Sequence, residues 1–293
     1  IEQYIRVRGR SRANPVLLVL HGGPGSTLGA TACRWQGALE AAFTVVHWDQ
    51  RGSGNTYYRD PAAPPPTVER LLSDLDELGD ALLGHSWGSL LGGLYALRRP
   101  EKLSAWLPVS QMVDFKRSEQ VSAAEAIRRA REAGREKDAE RLAQELEQVL
   151  ALRRLDRAGA GALLRFRRRK ERYLPPQYGG PSPLGGLAAP ELTGNDLRWK
   201  LRFDRMLAAN AALYEELLGG LSLDGCPPRY GVPVILTAGE RDWTTPYPLA
   251  AAYYDTLSAP CKVFLSLPDA GHLPFRERPE EWSHILLDAL AQI

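Results

Sequence analysis

The sequence predicts an α/β fold: a mostly parallel central sheet with helices on both faces and an inserted helical cap. Three observations predict it. Seven short β-rich apolar runs are spread over 293 residues, most of them continuous rather than alternating, as strands covered on both faces are. Helical patterns separate many of these runs, the alternation expected of parallel strands joined by crossover helices. Between Val109 and Val232 the strand-like runs stop and charged helical sequence replaces them, so the sheet is built from two pieces of chain.

In chain order the runs are YIRV (Tyr4 to Val7), VLLVL (Val16 to Leu20), FTVVHW (Phe43 to Trp48), ALL (Ala81 to Leu83), LSAWLPV (Leu103 to Val109), VPVILTA (Val232 to Ala238) and CKVFLSL (Cys261 to Leu267). TVERLLSDLDEL, SLLGGLYALRR, PLAAAYYDTL and the final PEEWSHILLDALAQI carry helical periodicity. The expected organisation is a core in two parts, 1–109 and 229–293, around a helical cap at 110–228. Within the cap, AAEAIRRAREAGREKDAERLAQELEQVLALRR reads as helix, and the Pro- and Gly-dense stretch from Tyr173 to Gly194 reads as a loop able to close over a pocket. The basic run RFRRRKER, Arg165 to Arg172, reads as a solvated helix face. Only Gly79 and Asp80 separate a helix from the run ALL, which predicts a cramped crossover and a very short central strand, or residues missing there.

Composition narrows the function. At 44% hydrophobic and 25% charged the chain buries a substantial core, and a net charge of +2 provides no large single-sign field for nucleic acid or a membrane surface. The expected partner is a small molecule or a short peptide; oligomeric state is left open. No apolar run reaches the roughly 20 residues of a membrane span, and IEQYIRVRGR lacks the apolar core of a signal peptide. The chain opens on Ile1 and not on Met, which leaves room for residues upstream. Cys33, Cys226 and Cys261 are widely separated, without metal-ligand spacing, and read as reduced thiols of a cytoplasmic protein. No cofactor and no metal is called for.

The chemistry centres on GHSWGS, Gly84 to Ser89, where a strand run meets a helical pattern. The spacing Gly84-x-Ser86-x-Gly88 marks a turn too tight for flanking side chains, which exposes the serine hydroxyl as a nucleophile. LHGGPGS, Leu20 to Ser26, follows a buried strand, and its glycines let backbone N–H groups face a cleft as oxyanion donors. GERD ends in Asp242 after VILTA, and AGH ends in His272 after KVFLSL, so an acid and a histidine stand at strand C-termini, where open α/β sheets bind ligands. The order Ser86, Asp242, His272 is the order of the α/β-hydrolase triad. In that scheme His272 takes the serine proton, Asp242 orients His272, and the N–H groups of Trp87 and of Gly22 or Gly23 receive the oxyanion. Asp114 and Asp269 are rival acids. His21 and His85 read as loop-holding residues, His47 as a strand residue and His284 as part of the last helix.

HGGPG, WDQRGSGNT (Trp48 to Thr56), GHSWGS, GERDWTTP and AGH together resemble the proline iminopeptidase branch of the α/β-hydrolases, peptidase family S33. The resemblance spans Tyr4 to Val109 and Val232 to Ile293 and is weak in the insertion. It implies an α/β-hydrolase fold with an eight-stranded sheet and a helical cap, and release of an N-terminal residue, often proline, from a short peptide. It also implies Ser86, Asp242 and His272 as triad, Gly23 and Trp87 as oxyanion donors, and Asp49 and Arg51 as braces of the active-site loops. Such an aminopeptidase holds the substrate ammonium with cap carboxylates, usually in an ENHYF-like segment that this chain lacks. NAALYEELL offers Glu215 and Glu216 in that role, against their reading as exposed helix acids. An esterase, thioesterase or lactonase could use the same triad on a small metabolite, and a non-catalytic ligand-binding protein could keep the same pocket. An epoxide hydrolase or dehalogenase requires Asp where Ser86 stands.

Overall fold

In the computed structural model, which describes residues 1–77, 81–176, 189–225 and 228–293, all seven apolar runs are strands. They are β1 (Tyr4–Arg8), β2 (Val16–Leu20), β3 (Thr44–Asp49), β4 (Ala81–His85), β5 (Ala105–Val109), β6 (Val234–Gly239) and β7 (Lys262–Leu267), in the sheet order β1-β3-β2-β4-β5-β6-β7. The edge strand β1 is antiparallel to β3, Tyr4 facing Asp49, and every other pair is parallel. The resemblance implies eight strands; the described residues form seven, and every strand-length apolar run of the sequence is already used in them. The central strand is longer than expected, extending through Gly84 and His85, while Gly79 and Asp80 of the cramped crossover lie outside the described residues.

Continuous apolar strands imply two covered faces, and two cores result. In β2, Leu18 and Leu20 join Leu82, Leu90, Trp106 and Leu236 on one side, while Leu17 and Val19 join Leu83, Leu107, Ile235 and Trp282 on the other. Each fully buried side chain of this size contributes roughly 1.5–3 kcal/mol. The covering helices are α1 (Leu39–Ala42), α2 (Gly54–Arg59), α3 (Val68–Leu75) and α4 (Trp87–Arg98). After the insertion come α11 (Tyr247–Thr256), α12 (Pro274–Glu277) and α13 (Pro279–Leu290). Thr67 caps α3 by accepting from Arg70 N, and α12 and α13 begin at prolines, whose missing N–H costs nothing in the first turn.

Between β5 and β6 the described residues form α5 (Phe115–Glu132), α6 (Glu136–Leu150), α7 (Arg157–Lys170), α8 (Gly194–Lys200), α9 (Phe203–Ala209) and α10 (Ala211–Leu218). The charged stretch expected as helix is two helices. Gly134 adopts φ 68°, and the Arg135 N–H reaches back to Ala130 O at 2.8 Å, which closes α5. The basic run lies on α7, but it is not wholly a solvated face. Lys170 is 4% exposed, with its ammonium 2.6 Å from Glu119 Oε2 and 2.6 Å from Ser122 Oγ, because α7 packs against α5. Residues 177–188, most of the Pro- and Gly-rich stretch, and Cys226 lie outside the described residues. Among the described residues no helix is long and apolar enough to cross a membrane.

Candidate active site

The turn from β4 into α4 explains its two glycines by contact. A Cβ on Gly84 would lie 2.4 Å from Gly88 O, and a Cβ on Gly88 would lie 2.4 Å from Leu20 O. Both obstacles are backbone, which cannot swing aside. Between them Ser86 is held at φ 55°, ψ −119°, outside the regions that a serine favours, and its N–H donates to Val109 O at 3.1 Å. Ser86 is the N-cap of the 12-residue helix α4, so Trp87 occupies the first helical position, where the N–H has no acceptor within the helix.

The glycine loop after β2 stands directly against this turn. A Cβ on Gly22 would come within 3.2 Å of Ser86 Cβ and 3.1 Å of His85 Nδ1, and Gly23 adopts φ 114°, a conformation that glycine alone takes freely. His21 fixes the loop: its Nε2 accepts from Gln50 N at 3.3 Å, so its Nδ1 donates to Gly22 O at 2.9 Å. Burial holds this ring neutral, its pKa lowered to about 4. The insertion supports the same loop, with Trp199 Nε1 donating to Gly25 O at 2.7 Å and Tyr214 OH to Pro24 O at 3.2 Å.

Asp242 is buried just past β6, where Gly239 has no room for a side chain because a Cβ would meet Ala270 O at 2.3 Å. Its Oδ1 accepts from the N–H groups of Thr244 and Thr245 at 2.8 and 3.0 Å, and its Oδ2 lies 2.9 Å from His272 Nδ1. Thr245 Oγ1 stands 2.8 Å from Asp242 Oδ2, 3.0 Å from Ser110 O and 3.3 Å from His272 Nδ1. The His272 carbonyl accepts from His85 Nε2 at 2.8 Å and Ser110 Oγ at 3.0 Å, and Glu277 accepts from the flanking Gly271 and Leu273 N–H groups at 2.7 and 3.0 Å. His272 is therefore clamped through both backbone and ring. The rival acids are engaged elsewhere: Asp114 caps α5 by accepting from Arg117 N, and Asp269 pairs with Arg241 at the surface.

Of the residues singled out in sequence, the structure brings Asp242 and His272 into direct contact and sets Gly22 against Ser86, with Trp87 next to Ser86 on α4 and Gly23 following Gly22 in the glycine loop. Among the described residues the Ser86 hydroxyl makes no hydrogen bond; Ser86 joins the His272 loop through the adjoining His85, whose ring lies 4.8 Å from that of His272. Glu215 and Glu216 are not brought to this site. Glu216 Oε1 accepts from Val68 N at 3.0 Å and caps α3, and the exposed Glu215 borders a separate groove of about 810 Å³ with Leu164 and Phe203. Asp49 and Arg51 do brace loops: Asp49 Oδ2 accepts from Asn55 N at 2.8 Å, and Arg51 forms a two-point pair with Asp74 at 2.5 and 2.7 Å. Sequence reasoning passed over Thr245, Ser110 and Glu277; the motif GERDWTTP contains Thr245, but no local signal marks the other two.

A model of the Alpha/beta hydrolase family matches residues 16–284. A Bacillus subtilis (strain 168) protein named "Probable aminopeptidase YbaC" is 26% identical over 97% of this chain and 92% of its own length. A Lactobacillus delbrueckii subsp. lactis proline iminopeptidase is 31% identical over 32% of this chain and 35% of its own. Among solved structures, a hydrolase from Pseudomonas aeruginosa superposes with a TM-score of 0.60 at 20% identity, covering 98% of this chain and 93% of that one, a likeness of fold.

Proposed function

The chain belongs to the alpha/beta hydrolase family, and we propose that within it the chain is a serine hydrolase that works through an acyl-enzyme. The observation that carries this reading is the buried 2.9 Å contact of His272 Nδ1 with Asp242 Oδ2 beside a serine held at φ 55° on a helix N-terminus. Asp242 fixes the tautomer with the proton on Nδ1, which leaves Nε2 free to accept. As Ser86 Oγ bonds to the acyl carbon, its proton passes to His272 Nε2, and the oxyanion is received by the N–H of Trp87 with that of Gly22 or Gly23. His272 then gives the proton to the leaving group as the acyl bond to it breaks. A water attacks the acyl-enzyme by the reverse proton path and frees Ser86.

The substrate class we propose is a short peptide or amide from which an N-terminal residue is released, supported by the name of the Bacillus relative and by the HGGPG and DQRGSG motifs. A second reading, an esterase, thioesterase or lactonase acting on a neutral acyl group, is favoured by one observation: Glu216 is engaged with Val68 N, and a buried ammonium left without a carboxylate costs several kcal/mol. A panel of prolyl and alanyl amides against short acyl esters separates the two. Ser86→Ala is expected to lose fluorophosphonate labelling and several orders of magnitude in turnover while keeping its fold. A parent protein that is neither labelled nor active on the panel would instead be a ligand-binding protein on a hydrolase scaffold.

A further inference from the structure

Beside the His272 loop lies a guanidinium with no counter-ion among the described residues. Arg276, on α12 and four residues past His272, is partly buried. Its Nη2 donates to Thr31 Oγ1 at 2.7 Å, and its Nε is buried without any acceptor. No carboxylate oxygen among the described residues pairs with it. Burial alone pushes its pKa below the ordinary value, with no acid acting in the other direction. Arg6, Arg51 and Arg169, whose side chains are at most 20% exposed, each face a carboxylate: Asp196, Asp74 and Glu145. Arginine cannot shed its proton in a protein, and an unpaired buried charge is strongly unfavourable, so a position of this kind calls for an anion from outside the chain.

The surroundings agree in sign. Lys200, at the end of α8, is held below its usual value by partial burial and then by the charge of Arg276; Asp196, also near it, acts against this and answers Arg6. His47, which faces Arg6, His21 and Arg276, stays neutral, its pKa lowered to about 3 chiefly by burial, so it contributes no charge. The three parts of the cluster continue the candidate site. Arg276 extends the His272 loop, Thr31 lies in the helical turn Gly29–Arg34 after the Gly22–Ser26 loop, and Lys200 follows Trp199, which holds Gly25. A planar fork, a hydroxyl and an ammonium suit the oxygens of a carboxylate or phosphate.

We propose that Arg276, Thr31 and Lys200 form a site for a carboxylate or phosphate group beside the candidate active site. The group comes either from the substrate, as the terminal carboxylate of a short peptide, or from a free anion; the first source rests on the serine hydrolase reading. The test begins with melting temperature in a buffer free of both groups, as inorganic phosphate or acetate is added at ionic strength matched with sodium chloride. The parent's melting temperature is expected to rise saturably. Arg276→Met is expected to lose the rise and, without anion, to melt no lower than the parent. Lys200→Gln, at an exposed position, should keep the rise but require several-fold more anion. A parent that responds no more to phosphate and acetate than to chloride, or an Arg276→Met protein that melts lower in every buffer, overturns the site. Its source is read from kcat/KM on an aminoacyl dipeptide and on the amide of the same dipeptide. A preference for the free carboxylate of about tenfold that Arg276→Met erases assigns the site to substrate; equal rates with a saturable melting shift assign it to a free anion. If neither peptide is cleaved, the peptidase reading fails while the melting series still decides the anion site.

Discussion

His85 holds His272 by its main chain: its Nε2 donates to the His272 carbonyl at 2.8 Å, and the two rings meet at 4.8 Å. The ring is fully buried, and burial keeps its pKa well below the usual histidine value, so it serves as a neutral donor. Replacing it by Leu removes the donor and leaves Ser110 Oγ to hold the carbonyl alone. His85→Leu is expected to lower kcat by ten- to a hundredfold with KM within about twofold. His85→Gln, whose amide reaches the same carbonyl, should recover most of the loss. A lower melting temperature with unchanged kcat would show that His85 supports only the fold.

Thr245 lies within hydrogen-bonding distance of Asp242, Ser110 and His272 at once. Thr245→Val keeps the shape and deletes the hydroxyl, leaving the Ser110 carbonyl without this partner. The expected cost is about 1.4 kcal/mol in transition-state stabilisation, a tenfold loss of kcat/KM. Thr245→Ser should behave like the parent in the same assay, and a Val variant of full activity would remove Thr245 from the arrangement.

Gly88→Ala drives a Cβ to 2.4 Å from Leu20 O, and neither backbone can yield without moving a central strand. A loss of about 3 kcal/mol is expected in urea unfolding, at the upper end of overpacking costs. Gly37→Ala is the control, since a Cβ there meets nothing within 4 Å. Equal stability of the two variants would contradict the close packing of the turn.

Stability should fall steeply with acid below about pH 6.5. His21 and His47 are lowered to about 4 and about 3, and His85 well below its usual value, each chiefly by burial, so the unfolded chain takes up three protons that the folded chain refuses. Asp49 opposes them: burial raises it to about 6, so around pH 5 the folded chain holds one proton that the unfolded carboxylate has released. The net of about two protons corresponds to roughly 3 kcal/mol lost per pH unit near pH 5. Above about pH 8 these four groups contribute no slope. Urea titrations at pH 5, 6, 7 and 8 measure this directly, and a flat profile from 5 to 7 would mean that the three imidazoles are not buried neutral.

The strands were legible because burial on both faces leaves a continuous apolar run, and the strand-to-helix turn was legible because steric exclusion at Gly84 and Gly88 is written in two adjacent positions. The contact of Asp242 with His272 was legible in their places after strand runs. What escaped depends on partners far away in sequence. Glu216 resembles any exposed helix acid until the fold places Val68 N against it, 148 positions distant. Lys170 sits in a basic run that looks like a solvated face, and only the packing of α7 on α5 makes it, with Arg167, a partner of the buried Glu119. Ser110 and Glu277 act on the backbone of the His272 loop, a role that no side-chain pattern announces.

The insertion leaves the sheet at Val109 and returns at Val234, on neighbouring strands paired Trp106 to Val234 and Val109 to Thr237. Because these strands are parallel, Val109 and Val234 stand at opposite ends of the pair, but the two ends of the insertion itself meet where Asp114 bridges Ser222 and Leu223 N donates to Val113 O at 2.8 Å, and lengthening the span between them costs only about 0.6 kcal/mol per doubling. This makes the segment an exchangeable module. A graft of different length or sequence would leave strand register untouched provided it still supplies donors to the carbonyls of Gly25, Pro24 and Gly52, now bonded by Trp199, Tyr214 and Asn210. Chimaeras built on that rule test whether this segment sets the range of acyl groups accepted.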